Sequence, residues 1–139
     1  MIIGFFNYTI LITMRYFFII IFCLFSINSH ASWFKLFSIS SGDLYLETNS
    51  IERNKSQILF SQLVNYKTKQ PNGMLSLKVL SEINCKNLSI RELKYMAFRK
   101  NMGLGEMFFE KEGKKSWKTP KKGSSPFFVN QILCDRVSF

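Results

Sequence analysis

The chain has 139 residues, with 19 Lys and Arg against 9 Asp and Glu, and a single His. The first 31 residues hold 22 of the apolar side chains; the other 108 hold 43, about 40%, which suits one globular domain and not two. The one imidazole, His30, lies in a segment read below as removed on export, so Ser-His-Asp catalysis, Cys-His catalysis and His-ligated metal are excluded from the remainder.

Met14-Arg15 precedes an apolar run from Tyr16 to Ile27, the short cationic start and run length of a secretory signal. Ser29 and Ala31 put small residues at −3 and −1, so cleavage is expected between Ala31 and Ser32. Met14 reads as the better start, because starting at Met1 places Arg15 within the apolar run, at a cost of about 2.5–3.5 kcal/mol. The competing reading is an uncleaved anchor, yet from Met14 the run falls short of the roughly 20 residues a spanning helix needs. Bulky Ile21 and Phe22 before Cys23 do not suit a lipoprotein signal. The expected division is therefore a signal peptide over 1–31 and one exported domain over 32–139, in the periplasm or at the bacterial surface.

In chain order, Trp33 to Ile39 and Leu44 to Glu47 read as short strands around a turn at Ser40-Ser41-Gly42-Asp43. Gln57 to Tyr66 alternates, with Ile58, Phe60, Val64 and Tyr66 on one face and Leu59 and Leu63 on the other. Met74 to Cys85 alternates more clearly: Leu75, Leu77, Val79, Ile83 and Cys85 share a side with Ser81. Gln70-Pro71-Asn72-Gly73 is a turn cluster that joins these two strands as a hairpin. Ile90 to Arg99 is expected as a strand, against a helix favoured by Arg91-Glu92-Leu93-Lys94. Met102-Gly103-Leu104-Gly105 breaks it at a turn requiring positive φ, and Glu106 to Glu110 is a further short strand. At the C-terminus the period becomes helical. Ser124 or Ser125 can cap, Pro126 suits the first turn, and Phe128, Val129, Ile132 and Leu133 form the apolar stripe, with Asn130 and Gln131 opposite. About nine residues of helix cannot stand alone and must dock on the sheet.

Cys85 and Cys134 remain after export to an oxidising compartment, an even number. Two readings stand: a bond closing a loop of about 50 residues, worth roughly 4 kcal/mol, or two buried thiols. The strongest charge feature is Lys111 to Lys122, where Lys111, Lys114, Lys115, Lys118, Lys121 and Lys122 surround Trp117 and a single Glu112. A flexible basic loop of this kind suits an anionic surface (lipid headgroup, sulfated glycan or nucleic acid), and its plainer reading is a solvated loop. Glu106, Glu110, Glu112, Asp43 and Glu82 offer carboxylate pairs without any accompanying cleft signal, so no catalysis is read from them. Arg91 is expected as a surface or cross-strand charge partner. In the pairs Phe34/Phe37, Phe108/Phe109 and Phe127/Phe128, one ring can face the core while the other faces solvent or a second layer.

An ordered set of positions along the exported part resembles the surface-adhesin protein E family. It comprises Ser41-Gly42-Asp43-Leu44-Tyr45, Ser50-Ile51, Asn65-Tyr66-Lys67, Gln70-Pro71, Gly73, Ser81 to Lys86, Arg91, Leu93, Met102 to Gly105, Trp117, Gly123-Ser124 and Cys134. The chain departs from the family at Lys122, where Pro usually precedes Gly-Ser. The resemblance implies an α+β fold: a single antiparallel sheet of about six strands, with a short C-terminal helix packed on it and a Cys85–Cys134 disulfide. It implies Trp117 as a packed family position. It also implies adhesion, with host extracellular-matrix or serum glycoproteins as partners. Apart from the resemblance, the basic tract suits anionic surface polymers, and a second copy of the chain is a further expected partner, as a homodimer. No cofactor, metal, catalytic group or small-molecule substrate follows. A periplasmic or envelope-associated structural protein is the alternative.

Overall fold

A computed structural model describes residues 32–136; the expected signal peptide lies outside the described residues, as does Ala31 of the cleavage site. Six strands follow one another: β1 (Trp33–Ile39), β2 (Gly42–Asn54), β3 (Gln57–Tyr66), β4 (Ser76–Asn84), β5 (Ser89–Phe98) and β6 (Met107–Glu112). A helix, α1 (Ser125–Arg136), ends the described chain. The strands form one antiparallel meander in sequence order. The α+β reading and the β3–β4 hairpin are borne out, and β1 and β3 have the expected bounds.

The strand expected from Ile90 to Arg99 is borne out as β5, and β2 departs from expectation. β2 starts at Gly42, inside the expected turn, and runs to Asn54 rather than stopping at Glu47. Its polar stretch carries a bulge between Glu47 and Glu52. There the Ser50 hydroxyl donates to the Glu47 carbonyl (2.8 Å) and accepts from the Ser61 N–H (2.8 Å), so a side chain replaces a ladder rung. Apolar alternation is lost at a bulge, which is why the sequence pattern stops short. In β5 the helix-forming run Arg91 to Lys94 is extended, because pairing with β4 on one side and with the chain beyond β6 on the other outweighs local propensity.

The sheet has two unlike faces. Leu46, Ile58, Phe60 and Ile83 point to one and form the core with Val129 and Leu133 of α1. On the other, Leu63 and Ser76 are buried at one end by a single 3₁₀ turn, Asn101–Gly103. Asn65 Oδ1 accepts from the Met102 N–H (2.8 Å) and from Asn101 Nδ2 (3.0 Å), while Ser76 Oγ accepts from the Gly103 N–H (2.9 Å). Gly103 and Gly105 take the expected positive φ, +67° and +75°, and Met102 takes it too.

The helix is longer than expected, at 12 residues, and its buried stripe is displaced by one position. Val129 and Leu133 face the core as read, but Phe128 and Ile132 are about half exposed, and Asn130 is fully buried. Ser124 caps through its carbonyl, which receives the Phe128 N–H (3.1 Å), and not through its hydroxyl. Two tertiary contacts set the rotation. Cys134 is bonded to Cys85, with Cα atoms 5.6 Å apart, and Asn130 Nδ2 donates to the Leu88 carbonyl (2.8 Å) in the β4–β5 turn. Leu88 has φ +56°, so Asn130 holds a turn that is locally unfavourable.

Candidate functional site

The basic tract is not the flexible loop expected. Beyond β6 the chain continues alongside β5. Gly113 N–H donates to the Leu93 carbonyl (2.9 Å), and Ile90 and Lys118 exchange both backbone hydrogen bonds at 2.8 Å. At Gly113 a Cβ would sit 2.0 Å from the Glu92 carbonyl oxygen, so only glycine lets the tract approach β5 this closely. Lys111 to Lys118 are thereby carried on a backbone tied to the sheet, while Lys121 and Lys122 lie in the turn beyond it.

Pairing sorts them. Lys115 meets Glu112 at 2.9 Å, and Lys118 lies 3.7 Å from Glu92. Lys111, Lys114, Lys121 and Lys122 are exposed and form no ion pair among the described residues. Trp117, expected as a packed anchor, is 38% exposed. One ring face is covered by the Arg91 guanidinium, 4.5 Å from its centroid, and Arg91 is held in turn by Glu82 through Nε (2.6 Å) and Nη2 (2.5 Å). The cross-strand role expected for Arg91 is thus filled by Glu82, directly opposite it on β4, and not by neighbouring Glu92.

Of the carboxylates considered in the sequence as possible pairs, Asp43, Glu82 and Glu110 are neutralised in ion pairs, Glu112 meets Lys115, and Glu106 is exposed with no ion pair among the described residues. On the sheet face away from α1, Asp43 pairs with Lys35 (2.9 Å), Glu47 with Lys78 (2.6 Å), Glu82 with Arg91 and Glu110 with Lys94 (2.7 Å). Ser38 and Lys35 hold the Asp43 carboxyl below its usual range, as Lys115 does for Glu112. A general acid needs the opposite shift. The same face carries Trp33 with Lys78 above its ring, 5.6 Å from the centroid.

A cavity of about 330 Å³ lies between the N-terminal end of α1, residues 118–120 and the sheet. Phe37, Ile90 and Val129 line it, with Glu92 and Lys118. Sequence reading missed it because its walls come from segments far apart in the chain. Glu92 also acts on Tyr95: burial first, then this carboxylate, pushes the phenol up to about 12. In each Phe pair one ring is partly covered and one is open: Phe34 (61% exposed), Phe109 and Phe128 are the open ones.

Residues 33–135 match the family described as Surface-adhesin protein E. No curated protein matches the chain in sequence. Among solved structures it is similar to crystal form II of Haemophilus influenzae protein E, with TM-score 0.62 and 18% identity, covering 78% of this chain and 91% of that one. It is also similar to protein E from non-typeable Haemophilus influenzae, with TM-score 0.57 and 16% identity, covering 78% of this chain and 79% of that one. At such identities the likeness is one of fold.

Proposed function

The chain belongs to the surface-adhesin protein E family, and from that membership we propose that it is an exported, adhesin-like binding protein of the bacterial envelope, with host extracellular-matrix or serum glycoproteins as partners. The carrying observation is that the family match spans β1 to α1, the whole described fold. The tract from Lys111 to Lys122 supports a contribution from anionic groups on the partner, because its unpaired Lys114 sits on a backbone already ordered by β5 and Lys121 and Lys122 follow directly from that stretch. An ordered site loses less conformational freedom on binding than a flexible loop does. The activity is binding and not catalysis.

Processing belongs to this reading: the exported protein begins at Ser32. Intact mass of the exported chain tests this, and a mass retaining residues 14–31 contradicts it. The function is tested by titrating immobilised matrix and serum glycoproteins, with Lys114, Lys121 and Lys122 changed to Gln as the comparison. Saturable binding that weakens with salt and in the variant is expected. Absence of saturable binding to every such glycoprotein sinks the adhesin reading. Protease digestion of intact against lysed cells tests exposure, and digestion only after lysis contradicts a surface location.

A further inference from the structure

We propose that the outward side of α1 docks on an anionic lipid surface. The sheet face away from α1 holds four acid–base pairs that neutralise one another: Lys35–Asp43, Lys78–Glu47, Arg91–Glu82 and Lys94–Glu110. Residues 32–139 carry 18 basic against 9 acidic side chains, so the surplus of nine lies off that set of pairs.

Part of that surplus stands at the start of α1. Lys121 and Lys122 are exposed immediately before the helix, which has no acidic residue in its first turn. The helix N-terminus adds its own partial positive charge to theirs. On the outward side of the same helix, Phe128 is 53% exposed and Ile132, one turn on, is 50% exposed. Asp135 is the acidic residue of the helix, exposed at its far end.

Exposed large apolar side chains on a helix that a lysine pair precedes form the composition of an interfacial membrane contact: the rings and aliphatic groups enter the headgroup–acyl boundary, and the ammonium groups meet lipid phosphate. A polyanion in water would use the lysines and leave Phe128 and Ile132 idle. A second copy docked through the same patch would bring together two chains that each carry nine surplus basic charges, which an anionic surface neutralises and a second copy does not. Charge and apolarity together therefore select anionic lipid. This inference goes beyond the adhesin reading and does not depend on it, since it concerns how the domain stays at the envelope rather than what it captures.

The test uses the protein as the cell exports it, mixed with sedimenting vesicles of phosphatidylcholine alone or with one-third phosphatidylglycerol. Binding is expected to the second and not the first, weakening as salt rises. Changing Lys121 and Lys122 to Gln should lower partitioning about fivefold per lysine. Changing Phe128 and Ile132 to Ser should lower it about tenfold per residue while leaving retention on heparin and the thermal midpoint unchanged. Both side chains are already half in solvent, so these variants fold. Failure to bind phosphatidylglycerol vesicles overturns the proposal, and so does binding that survives the Phe128 and Ile132 changes. Loss of glycoprotein binding with vesicle binding intact contradicts the adhesin reading alone.

Discussion

Asn130 shows how one residue can reverse a pattern. Its neighbours spell an apolar stripe that would place it in solvent, yet it is fully buried and donates to Leu88. Asn130→Ala should therefore cost about 1–3 kcal/mol, the usual range when a buried hydrogen-bond partner is left unsatisfied. Phe128→Ala should stay within about 0.5 kcal/mol, as for an ordinary surface site. Denaturant melts of the two variants check this, and a larger loss at Phe128 would mean that the helix is rotated the other way. Trp117 is judged on the same scale. A fully buried tryptophan would lose about 3–5 kcal/mol on truncation. This one is 38% exposed and covered on one face by Arg91, so Trp117→Ala should cost nearer 1–2 kcal/mol, part of it the cation–π contact.

At the scale of elements, the stretch after β6 decides what the lysines can do. Its hydrogen bonds to β5 depend on Gly113 approaching the Glu92 carbonyl. Gly113→Ala should force the tract away from β5. Amide exchange of Ile90 and Lys118 should then accelerate, while exchange in β3 and β4 stays slow. Unchanged protection at Ile90 would show that the tract is held by something else. Little of this was legible beforehand. Lysine spacing marks a charged segment but carries no apolar period, and a strand recognised only by its backbone hydrogen bonds leaves no trace in side-chain pattern. The far half of β2 is hidden from the side-chain pattern for the same reason: a serine side chain maintains the ladder through Thr48 to Ser50.

At the scale of the whole molecule, the helix is tied to the sheet by one covalent link spanning 49 residues. Replacing Cys85 and Cys134 by Ser should lower stability by about 4 kcal/mol through the freed unfolded chain. Thermal melts of that variant beside the oxidised protein check it. The pH response has a defined sign. Burial raises Tyr66, burial and then Glu92 raise Tyr95 to about 12, and Glu110 raises Lys94. In each case the unfolded chain gives up its proton first as pH rises, so stability is full below about pH 10 and falls above it. Tyr95→Phe should remove part of that fall in melts between pH 9 and 12, and an unchanged slope would contradict the assignment. On the acid side the lowered Asp43 and Glu112 carboxyls act in the opposite direction, and their contribution is lost as pH falls through their folded values.

Much of the architecture was already determined by the sequence alone. Period-two alternation in β3 and β4, the Pro-Asn-Gly turn and the paired glycines at 103 and 105 specify a meander, because alternation places side chains on opposite faces whatever the rest of the chain does. The parity of Cys85 put its sulfur on the core face, where Cys134 could reach it. Tertiary structure decided the rotation of α1, the tethering of the basic tract and the neutralised lattice opposite the helix. Each depends on partners distant in sequence: Leu88 for Asn130, Glu92 for Gly113, and Glu47 for Lys78. A helical stripe names the residues able to be buried, but a disulfide and a buried amide chose which of them are. Phe128 and Ile132 were left in solvent because turning them inward would cost the Asn130 side chain its only hydrogen bond among the described residues.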